Sequence, residues 1–321
     1  MKCLVTGCAG FIGSSLAEKL LLQGHEVLGI DRLSDYYDRA LKRKNLEALS
    51  SPAMKGPFTF FEADLAEPGW EGRVDSLRDS ELVYHLAAQP GVGPSWTIFD
   101  TYVRDNILAT RGILEVARSM PYLKAFVLAS SSSVYGNASS FPVTEEFPLA
   151  PCSPYGITKV AAEKLCGAYH ENFALPVVIL RYFTVYGPRQ RPDMAFYRFI
   201  KSALRGERIV IHGDGSQERD FTHVDDVTEA HVALLEKSIS GGIFNITSGP
   251  GGHASLNELV ALLGGLVGRK LEVEHREPMK GDMAVTRGSY ERARGAFGYE
   301  PRVSLRDGMT SQVSWMKSFL S

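Results

Sequence analysis

Short apolar runs alternate with stretches of helical periodicity between residues 3 and 181, and this alternation restricts the fold more than any other feature. Buried strands are predicted at residues 3–6, 26–31, 58–63, 81–85, 123–130 and 176–181. Helices are predicted between them at 11–23, 106–119 and 155–172. Successive strands joined by helices need crossover connections, which produce a parallel sheet. We therefore predict an α/β fold with a doubly wound parallel sheet, whose ligands bind beyond the carboxyl ends of the strands.

The pattern changes after Arg181, and a chain of 321 residues has room for a second unit. A loop rich in Gly, Pro and Arg is predicted at 186–194, a short strand and a polar turn within 207–221, and helices at 194–205, 256–266 and 305–320. A helix at 224–237 and a strand at 242–247 are expected to return to the sheet. The predicted division is residues 1–182 and 224–247 for the sheet domain, and 183–223 and 248–321 for a second, smaller α/β lobe.

Composition and charge exclude several classes of protein. Hydrophobic residues make up 44% of the chain and charged residues 22%, which excludes a mainly disordered chain. Lys and Arg total 35 against 37 Asp and Glu, so the basic excess of a nucleic-acid-binding protein is missing. The longest nearly apolar stretch, 259–268, has about half the length needed to span a bilayer. We expect neither a nucleic-acid partner nor a membrane segment.

Cysteine and histidine spacing predicts no metal site and no disulfide framework. The four cysteines include no CxxC pair, and the eight histidines include no HExxH motif. The N-terminal sequence reaches glycine after a few apolar residues, unlike a signal peptide. We therefore expect a soluble protein of a reducing compartment, the cytoplasm.

A glycine pattern, GxxGxxG, joins the first predicted strand to the first helix at Gly7, Gly10 and Gly13. Glycine permits a tight turn and a close approach to a pyrophosphate, and the helix N-terminus offers free N–H groups, although a packing loop can show the same pattern. Asp31 ends the next strand, where a carboxylate can accept hydrogen bonds from a ribose diol. Because this carboxylate would repel a 2′-phosphate, NAD is favoured over NADP. The adjacent Arg32 weakens that preference, since it could pair with such a phosphate.

Tyr155 and Lys159 lie four residues apart on a predicted helix, so their side chains share one face. A phenol is a poor base at neutral pH, but a nearby ammonium and an oxidised nicotinamide favour the phenolate. Tyr155 is therefore a candidate base for a sugar hydroxyl, with Ser131 at the preceding strand end as a hydrogen-bond partner. A second YxxxK, formed by Tyr197 and Lys201, follows a loop of the second lobe and is interpreted as structural.

Five segments together resemble the extended short-chain dehydrogenases/reductases that act on nucleotide sugars: TGCAGFIG, HLAAQ, SSSSVYG, PYGITK and RDFTHVDDV. The resemblance covers nearly the whole chain. It implies a Rossmann domain that binds NAD, a nucleotide-sugar-binding lobe, and Ser131, Tyr155 and Lys159 as the catalytic residues. Together with the glycine loop, it gives the predicted cofactor-binding residues: Gly7, Gly10, Phe11, Ile12, Gly13, Asp31, Arg32, Asp64, Leu65, Leu86, Ala87, Ala88, Asn106, Tyr155, Lys159 and Tyr182.

Within that family, residues 31–46 and 183–196 are similar to segments of UDP-glucuronate 4-epimerases. Relatives that dehydrate carry an Asp–Glu pair before VYG and relatives that decarboxylate carry a Glu, whereas this chain has Ser132 and Ser133. A carboxylate beside a 4-keto group readily loses carbon dioxide, so an epimerase must hold it without a misplaced acid or base. The serine hydroxyls and the Arg191 guanidinium suit that role. From the residues alone, Arg191 could equally be a solvated loop charge.

The resemblance implies a UDP-sugar as the partner and an epimerase that converts UDP-glucuronate to UDP-galacturonate through a transient 4-keto sugar. A UDP-glucose or UDP-N-acetylglucosamine 4-epimerase and a UDP-glucuronate decarboxylase remain alternatives. Gly93 stands where these epimerases commonly have arginine, which leaves carboxylate selectivity open. Relatives commonly dimerise through two helices, here 106–119 and 155–172, so a homodimer is expected. The implied substrate-binding residues are Ser131, Ser132, Ser133, Thr184, Arg191, Ala195, Arg219 and Asp282.

Overall fold

The computed structural model describes residues 1–74 and 76–320. Within these ranges the strands are β1 (Lys2–Thr6), β2 (Glu26–Asp31), β3 (Phe58–Glu62), β4 (Leu82–His85), β5 (Ala125–Ser131), β6 (Val177–Tyr182), β7 (Thr184–Tyr186), β8 (Ile209–His212), β9 (Glu218–His223), β10 (Gly242–Ile246), β11 (His253–Ser255) and β12 (Val273–Arg276). The α-helices are α1 (Phe11–Leu22), α2 (Arg39–Leu49), α3 (Phe99–Tyr102), α4 (Ala109–Ala117), α5 (Pro154–Phe173), α6 (Ala195–Arg205), α7 (Val224–Glu236), α8 (Leu256–Val267), α9 (Glu291–Phe297) and α10 (Leu305–Leu320). No helix in these ranges is both long and apolar enough to cross a membrane.

Seven parallel strands build the central sheet in the order β10-β6-β5-β4-β1-β2-β3. Thr6, at the end of β1, pairs with Ile30 on one side and with His85 on the other. The strand order reverses direction between β1 and β4, and a crevice opens there at the carboxyl ends of the strands. The predicted doubly wound α/β fold is confirmed.

Hydrophobic cores cover both faces of this sheet. Cys3 and Val5 of β1 pack into the core that contains residues of α1 and α7, whereas Leu4 between them packs into the core shared with α4 and α5. A strand buried on both faces needs apolar residues at consecutive positions. The short apolar runs of the sequence therefore coincide with the strands of the sheet.

The edge strand β10 reaches the sheet from a segment that follows part of the second lobe. It pairs in parallel with β6, with Gly242 opposite Val178 and Ile246 opposite Tyr182. Helix α7, which precedes it, packs against α1, where Lys19 donates to Glu229. The sheet is thus completed by residues far along the chain.

The second lobe contains two small sheets and three main helices. One sheet has the order β11-β9-β7, and the other pairs β12 with β8 in parallel. Helices α6, α8 and α10 enclose a core that includes Phe196, Phe199, Leu259 and Met316. β7 follows β6 after a single residue, and both β7 and β9 pack against α7.

The predicted and the observed elements differ at several positions. The helix predicted at 106–119 begins earlier, because α3 continues through a π-helical stretch, Val103–Leu108, into α4. That stretch buries Asp105 and Asn106 beside the cleft described below, and π-helical turns often occur at functional sites. Helix α2 was not predicted, because only Lys42 and Leu49 of its eleven residues are buried. Residues 207–221 hold parts of two strands, β8 and β9, rather than one.

Candidate active site

A cleft opens at the carboxyl ends of the central strands, with an empty volume of about 1170 Å³ that includes the part open to solvent. All the predicted cofactor-binding residues except Asn106 line it. Tyr155, Lys159 and Arg191 line it as well, so two of the three residues predicted for catalysis and the arginine predicted for the sugar carboxylate share one cavity with the glycine loop. Its position at the reversal of strand order is where doubly wound sheets bind their ligands.

The glycine loop leaves room for a pyrophosphate at the start of α1. Gly7 has a φ of 71°, and a Cβ there would lie 2.8 Å from the backbone nitrogen of Ala87. A Cβ on Gly13 would overlap the Gly7 carbonyl oxygen, so both positions require glycine. The helix has no acidic residue in its first turn, and Phe11 and Ile12 of that turn line the cleft. This cradle suits the phosphates of a dinucleotide.

Asp31 is held rigidly at the end of β2. Its carboxylate accepts hydrogen bonds from the backbone nitrogens of Leu33 at 2.8 Å and Ala9 at 3.2 Å. Burial raises the pKa of Asp31, while the Lys42 ammonium and these N–H donors act in the opposite direction. The carboxylate lines the cleft and is placed to accept hydrogen bonds from a ribose.

Arg32 is engaged by acidic neighbours, which removes the main objection to NAD. Its Nη2 lies 2.5 Å from an oxygen of Asp105, and its Nη1 lies 3.4 Å from an oxygen of Asp64. Arg104 also pairs with Asp64 and with Asp105. Two arginines thus meet two carboxylates, so Arg32 is not a free cation awaiting a 2′-phosphate.

Asn106 lies behind the cleft wall and fixes two elements of it. Its side-chain oxygen accepts a hydrogen bond from the Gln89 nitrogen at 2.7 Å, and its amide donates to the Gln89 carbonyl at 3.1 Å and to the Thr158 hydroxyl at 2.9 Å. Thr158 precedes Lys159 on α5. Asn106 therefore joins the loop after β4 to the helix that carries the candidate catalytic residues.

Tyr155 and Lys159 enter the cleft from the first turns of α5. The helix begins where the sequence predicts, because the Ser153 side chain accepts a hydrogen bond from the Gly156 nitrogen at 3.1 Å. The Lys159 ammonium donates to the Ala129 carbonyl on β5 at 2.5 Å. The helix N-terminus and the strand end thereby bring the phenol and the ammonium to the same wall.

The charges around Tyr155 differ in one respect from the prediction. Burial raises the pKa of Tyr155, and the groups that oppose this shift are the Ser131 hydroxyl and the Arg191 guanidinium, because the Lys159 ammonium points to a backbone carbonyl. Burial lowers the pKa of Lys159 to about 8, against the charge of Glu163. The resting phenol is therefore protonated and needs additional positive charge nearby before it acts as a base.

Arg191 is an ordered part of the cleft wall rather than a solvated loop charge. Its Nε and Nη2 donate to the two carboxylate oxygens of Asp193, at 3.0 and 3.1 Å. The Tyr36 hydroxyl, from the loop after β2, donates to the same carboxylate at 3.3 Å. Tyr36 and Tyr37 also line the cleft. The sequence analysis did not single out Tyr36, Tyr37 and Asp193 as site residues, although all three lie in the segments 31–46 and 183–196 that resemble UDP-glucuronate 4-epimerases.

The loop that carries Arg191 is anchored on both sides. The buried Gln190 side chain accepts a hydrogen bond from the Tyr197 nitrogen at 2.9 Å, and Arg189 pairs with Glu18 of α1 at 2.9 Å. The Tyr197 ring packs into the core of the second lobe, as expected for the structural member of the two YxxxK motifs.

The remaining predicted substrate residues lie outside the walls of this cleft: Ser131, Ser132, Ser133, Thr184, Ala195, Arg219 and Asp282. Two of them meet, since Arg219 Nη2 lies 2.6 Å from an Asp282 oxygen. Ser131 donates to the Ser133 hydroxyl at 3.2 Å. At the Gly93 position, a Cβ would lie 2.8 Å from the flexible end of Met279, so a larger residue there requires that side chain to move.

No group of three or more His, Cys, Asp or Glu side chains within residues 1–74 and 76–320 is arranged to hold a metal ion. All four cysteines are free thiols.

Comparison with known proteins gives the family. The model of the NAD dependent epimerase/dehydratase family matches residues 3–247, more than half of the chain. The chain belongs to this family. The predicted relationship to short-chain dehydrogenases/reductases of this type is thereby confirmed, and the glycine loop, Asp31 and the Tyr155–Lys159 pair all fall within the matched residues.

Several members of the epimerase/dehydratase family are similar over the full length. A UDP-glucuronic acid 4-epimerase from Bacillus cereus, solved in complex with UDP-glucuronic acid and NAD, is 40% identical with a TM-score of 0.92, over 99% of this chain and 100% of that one. A UDP-glucuronate 4-epimerase of Thermodesulfobacterium geofontis is 38% identical over 98% of this chain and 95% of its own. An uncharacterized UDP-glucose epimerase of Bacillus subtilis is 41% identical over 99% of this chain and 98% of its own.

Proposed function

We propose that this protein is an NAD-dependent 4-epimerase that interconverts UDP-glucuronate and UDP-galacturonate. The observation that carries the proposal is one cavity that contains a dinucleotide cradle, the Tyr155–Lys159 pair and a guanidinium, that of Arg191. The similarity to UDP-glucuronate 4-epimerases over the full length supports the same reaction. The absence of a carboxylate at Ser132 and Ser133 favours epimerisation over dehydration or decarboxylation.

The cofactor-binding residues divide into three groups along the cleft. The glycine loop and the first turn of α1 would hold the pyrophosphate. Asp31 would bind the adenosine ribose, and Asp64 and Leu65 would contact the adenine. Leu86, Ala87, Ala88 and Tyr182 would form the remaining wall. When bound, NAD accepts a hydride from a sugar carbon and returns it, so no net oxidation occurs.

The chain supplies the proton chemistry and the positioning. Tyr155 takes the proton of the sugar O4 hydroxyl and later returns it to the same oxygen. The Ser131 hydroxyl lowers the pKa of the phenol and, in this proposal, would also hold the reacting oxygen. Protonated Lys159 on the same wall and the positive charge of an oxidised nicotinamide would together favour the phenolate. Burial keeps these groups away from water, which strengthens their electrostatic interactions.

Sugar recognition rests on a second set of residues. Arg191 would bind the sugar carboxylate, with Ser132, Ser133 and Thr184 as hydroxyl donors. Arg219, Asp282 and Ala195 would contact the uridine diphosphate from the second lobe. We place that lobe at residues 183–223 and 248–321, and the NAD-binding domain at 1–182 and 224–247.

A neutral UDP-hexose is the second candidate substrate. Arg191 already has a counter-ion in Asp193, and Gly93 supplies no guanidinium where UDP-glucuronate 4-epimerases commonly have arginine, so these two positions offer a sugar carboxylate little net positive charge. This favours tolerance of UDP-glucose. The 41% identity to an uncharacterized UDP-glucose epimerase supports the same alternative.

We also propose a cytoplasmic homodimer. The free thiols suit a reducing compartment. Leu108, beside α4, and Ile157 on α5 are 45% and 51% exposed, which places large apolar side chains on the outer surface of the two predicted pairing helices.

A substrate panel tests the proposed reaction. The purified protein is incubated with catalytic NAD and, separately, with UDP-glucuronate, UDP-glucose and UDP-N-acetylglucosamine, and the products are separated by chromatography. UDP-galacturonate from the first substrate is the expected result. UDP-xylose would assign a decarboxylase, and stoichiometric formation of NADH would assign a dehydrogenase; either would overturn the proposal. A preference for UDP-glucose would select the second candidate.

A further inference from the structure

A buried ion pair lies directly behind the catalytic residues. Glu163 on α5 and Arg181 on β6 are joined by two hydrogen bonds, from Arg181 Nε at 3.0 Å and from Nη2 at 2.7 Å. Their side chains are only 4% and 3% exposed. Nothing in the proton chemistry proposed above requires this pair, and a buried ion pair is costly to desolvate. Its position therefore needs an explanation.

Three successive turns of α5 contact three consecutive residues of β5. The phenol of Tyr155 meets the Ser131 hydroxyl, and the Lys159 ammonium donates to the Ala129 carbonyl at 2.5 Å. One turn further along α5, Glu163 accepts a hydrogen bond from the Ser130 hydroxyl at 2.5 Å. Because residues four apart share one helix face, the three contacts fix both the register and the rotation of α5 against the strand.

Arg181 completes the arrangement from the neighbouring strand. Its guanidinium binds Glu163 in a fork, donates to the Tyr135 hydroxyl at 2.8 Å, and donates to the Glu145 carbonyl at 3.3 Å. The Tyr135 hydroxyl in turn donates to Asn245 on β10 at 2.7 Å. Glu163 therefore has the Lys159 ammonium on one side and an anchored guanidinium on the other.

We propose that Glu163 is a positioning residue for the reaction: held by Arg181 and Ser130, it locks α5 on β5 and supplies the negative charge that keeps the Lys159 ammonium protonated inside the cleft. This inference rests on the proposed function, in which Lys159 acts as a cation. Burial alone lowers the pKa of Lys159, and the Glu163 charge is the first of the groups that oppose it. Arg181 limits that effect, because it shares the same carboxylate.

The other titratable groups around Lys159 do not replace Glu163. On α5, Tyr155 is a buried neutral phenol and Cys166 a buried thiol, and burial raises the pKa of both. From β4, His85 faces the ammonium, and burial keeps its pKa near 3, so it is neutral. From β6 the charged neighbour is Arg181, a cation. The Glu145 carboxylate lies at the far end of the network, 3.8 Å from Arg292.

Removal of the Glu163 charge and removal of the Arg181 charge should shift the pKa of Lys159 in opposite directions. In Glu163→Gln the Arg181 cation is uncompensated, so the pKa of Lys159 should fall by about one pH unit or more. In Arg181→Gln the carboxylate loses its partner and acts on Lys159 alone, so the same pKa should rise. The double variant, which removes both charges, should return to within about half a unit of wild type. If the substitutions only damaged packing, the shift in the pKa of Lys159 would not have opposite signs in the two single variants.

Two readouts measure this pKa. The first is the alkaline limb of kcat against pH with the UDP-sugar that the protein converts. The second needs no substrate: competitive acetylation of the protein across pH, with peptide mass spectrometry of Lys159. If the acetylation shifts appear while UDP-glucuronate is not converted, the positioning role stands and the proposed substrate fails. If conversion occurs without the shifts, the positioning role fails and the proposed substrate stands.

Tyr135→Phe is the matched control, since it removes a hydrogen bond from the same network without changing a charge. It should lower Tm and leave the pKa of Lys159 unchanged. Shifts in the same direction for Glu163→Gln and Arg181→Gln, or no shift in either, would overturn the proposal. If Glu163→Gln does not fold, Arg181→Gln and the double variant decide: absence of an upward shift in Arg181→Gln overturns it.

Discussion

Arg191 and Asp193 form a two-point ion pair in the cleft wall, with nitrogen–oxygen distances of 3.0 and 3.1 Å. The pair uses Nε and Nη2 of the guanidinium, so Nη1 is the nitrogen that it leaves for a second anion. A guanidinium held in this way loses little side-chain freedom when it binds a substrate carboxylate.

Replacement of Arg191 should weaken the binding of UDP-glucuronate much more than that of UDP-glucose. We expect Arg191→Gln to raise KM for UDP-glucuronate about 10- to 100-fold, because a hydrogen bond to a charged group contributes about 1.5–3 kcal/mol. KM for UDP-glucose should change less than about twofold. Arg205→Gln, at the exposed end of α6, is the control and should change neither. An equal rise for both sugars would show that Arg191 does not recognise the carboxylate.

Loss of the phenol should abolish turnover without loss of the fold. Tyr155→Phe is expected to lower kcat by about 10²–10⁴, the usual contribution of a positioned acid–base group, while NAD still binds in calorimetry. Tyr197→Phe makes the same change in the second YxxxK, whose ring lies in the second-lobe core, and should keep kcat within about threefold. Near-normal turnover in Tyr155→Phe would require a different base.

The charge of Asp31 should set the choice between NAD and NADP. Asp31→Asn keeps the shape and an acceptor oxygen but removes the repulsion of a 2′-phosphate, so the preference for NAD should fall at least about tenfold. Fluorescence titration with both cofactors measures the change. Asp35→Asn, an exposed carboxylate of the same loop, should leave the ratio as it is in wild type. If wild type binds both cofactors equally, the role of Asp31 in this choice is wrong.

Two buried histidines should make the protein less stable in mild acid. Burial lowers the pKa of His85 to about 3 and that of His231 to about 4, below the usual value near 6.5. The unfolded chain therefore binds protons that the folded chain does not, and stability is full above pH 6.5 and falls as the pH drops towards 4. Each histidine should contribute a loss of about 1.4 kcal/mol per pH unit in that window.

Urea unfolding at pH 7.5, 6.5 and 5.5 measures this dependence. His231→Gln should reduce the slope, whereas His275→Gln, at an exposed position, should not alter it. A free energy of unfolding that is constant from pH 7.5 to 5.5 would contradict the assignment of both histidines as neutral.

Charge on the exposed face of α5 should prevent self-association. Ile157→Glu is expected to convert a dimer to a monomer in sedimentation velocity, because it places a carboxylate in the proposed apolar interface. Leu22→Glu makes a similar change at a residue that is 42% exposed at the end of α1, and should leave the dimer intact. A wild-type monomer at all concentrations tested would remove the proposed interface.

The sequence was sufficient for the sheet and for the cofactor side of the cleft, for a physical reason. Strands buried on both faces must be apolar at consecutive positions, and a glycine such as Gly7 is required wherever backbone passes within 2.8 Å of its Cβ position. Both requirements are local, so they can be recognised in the sequence as runs of apolar residues and as glycines. Helix α2 leaves no such signal, because most of its residues face solvent.

The charge pairs were not predictable in the same way. Arg191 meets Asp193 across a turn, Glu163 meets Arg181 across two elements, and each could have been a solvated charge on sequence grounds. Which carboxylate an arginine selects depends on the tertiary arrangement. The predicted proximity of the Lys159 ammonium to the Tyr155 phenol also depended on the tertiary structure. In the structure, Lys159 donates to a backbone carbonyl instead.

Because β10 closes the edge of the sheet next to β6, the ribosome must add residues 183–246 after β6 before the last strand can dock. Until then β6 has unpaired backbone N–H and C=O groups along one side, and an exposed strand edge of this kind can pair with other chains and aggregate. Synthesis of residues 183–223, which precede β10, thus prolongs the interval in which this edge of the growing chain is open to pairing with other strands.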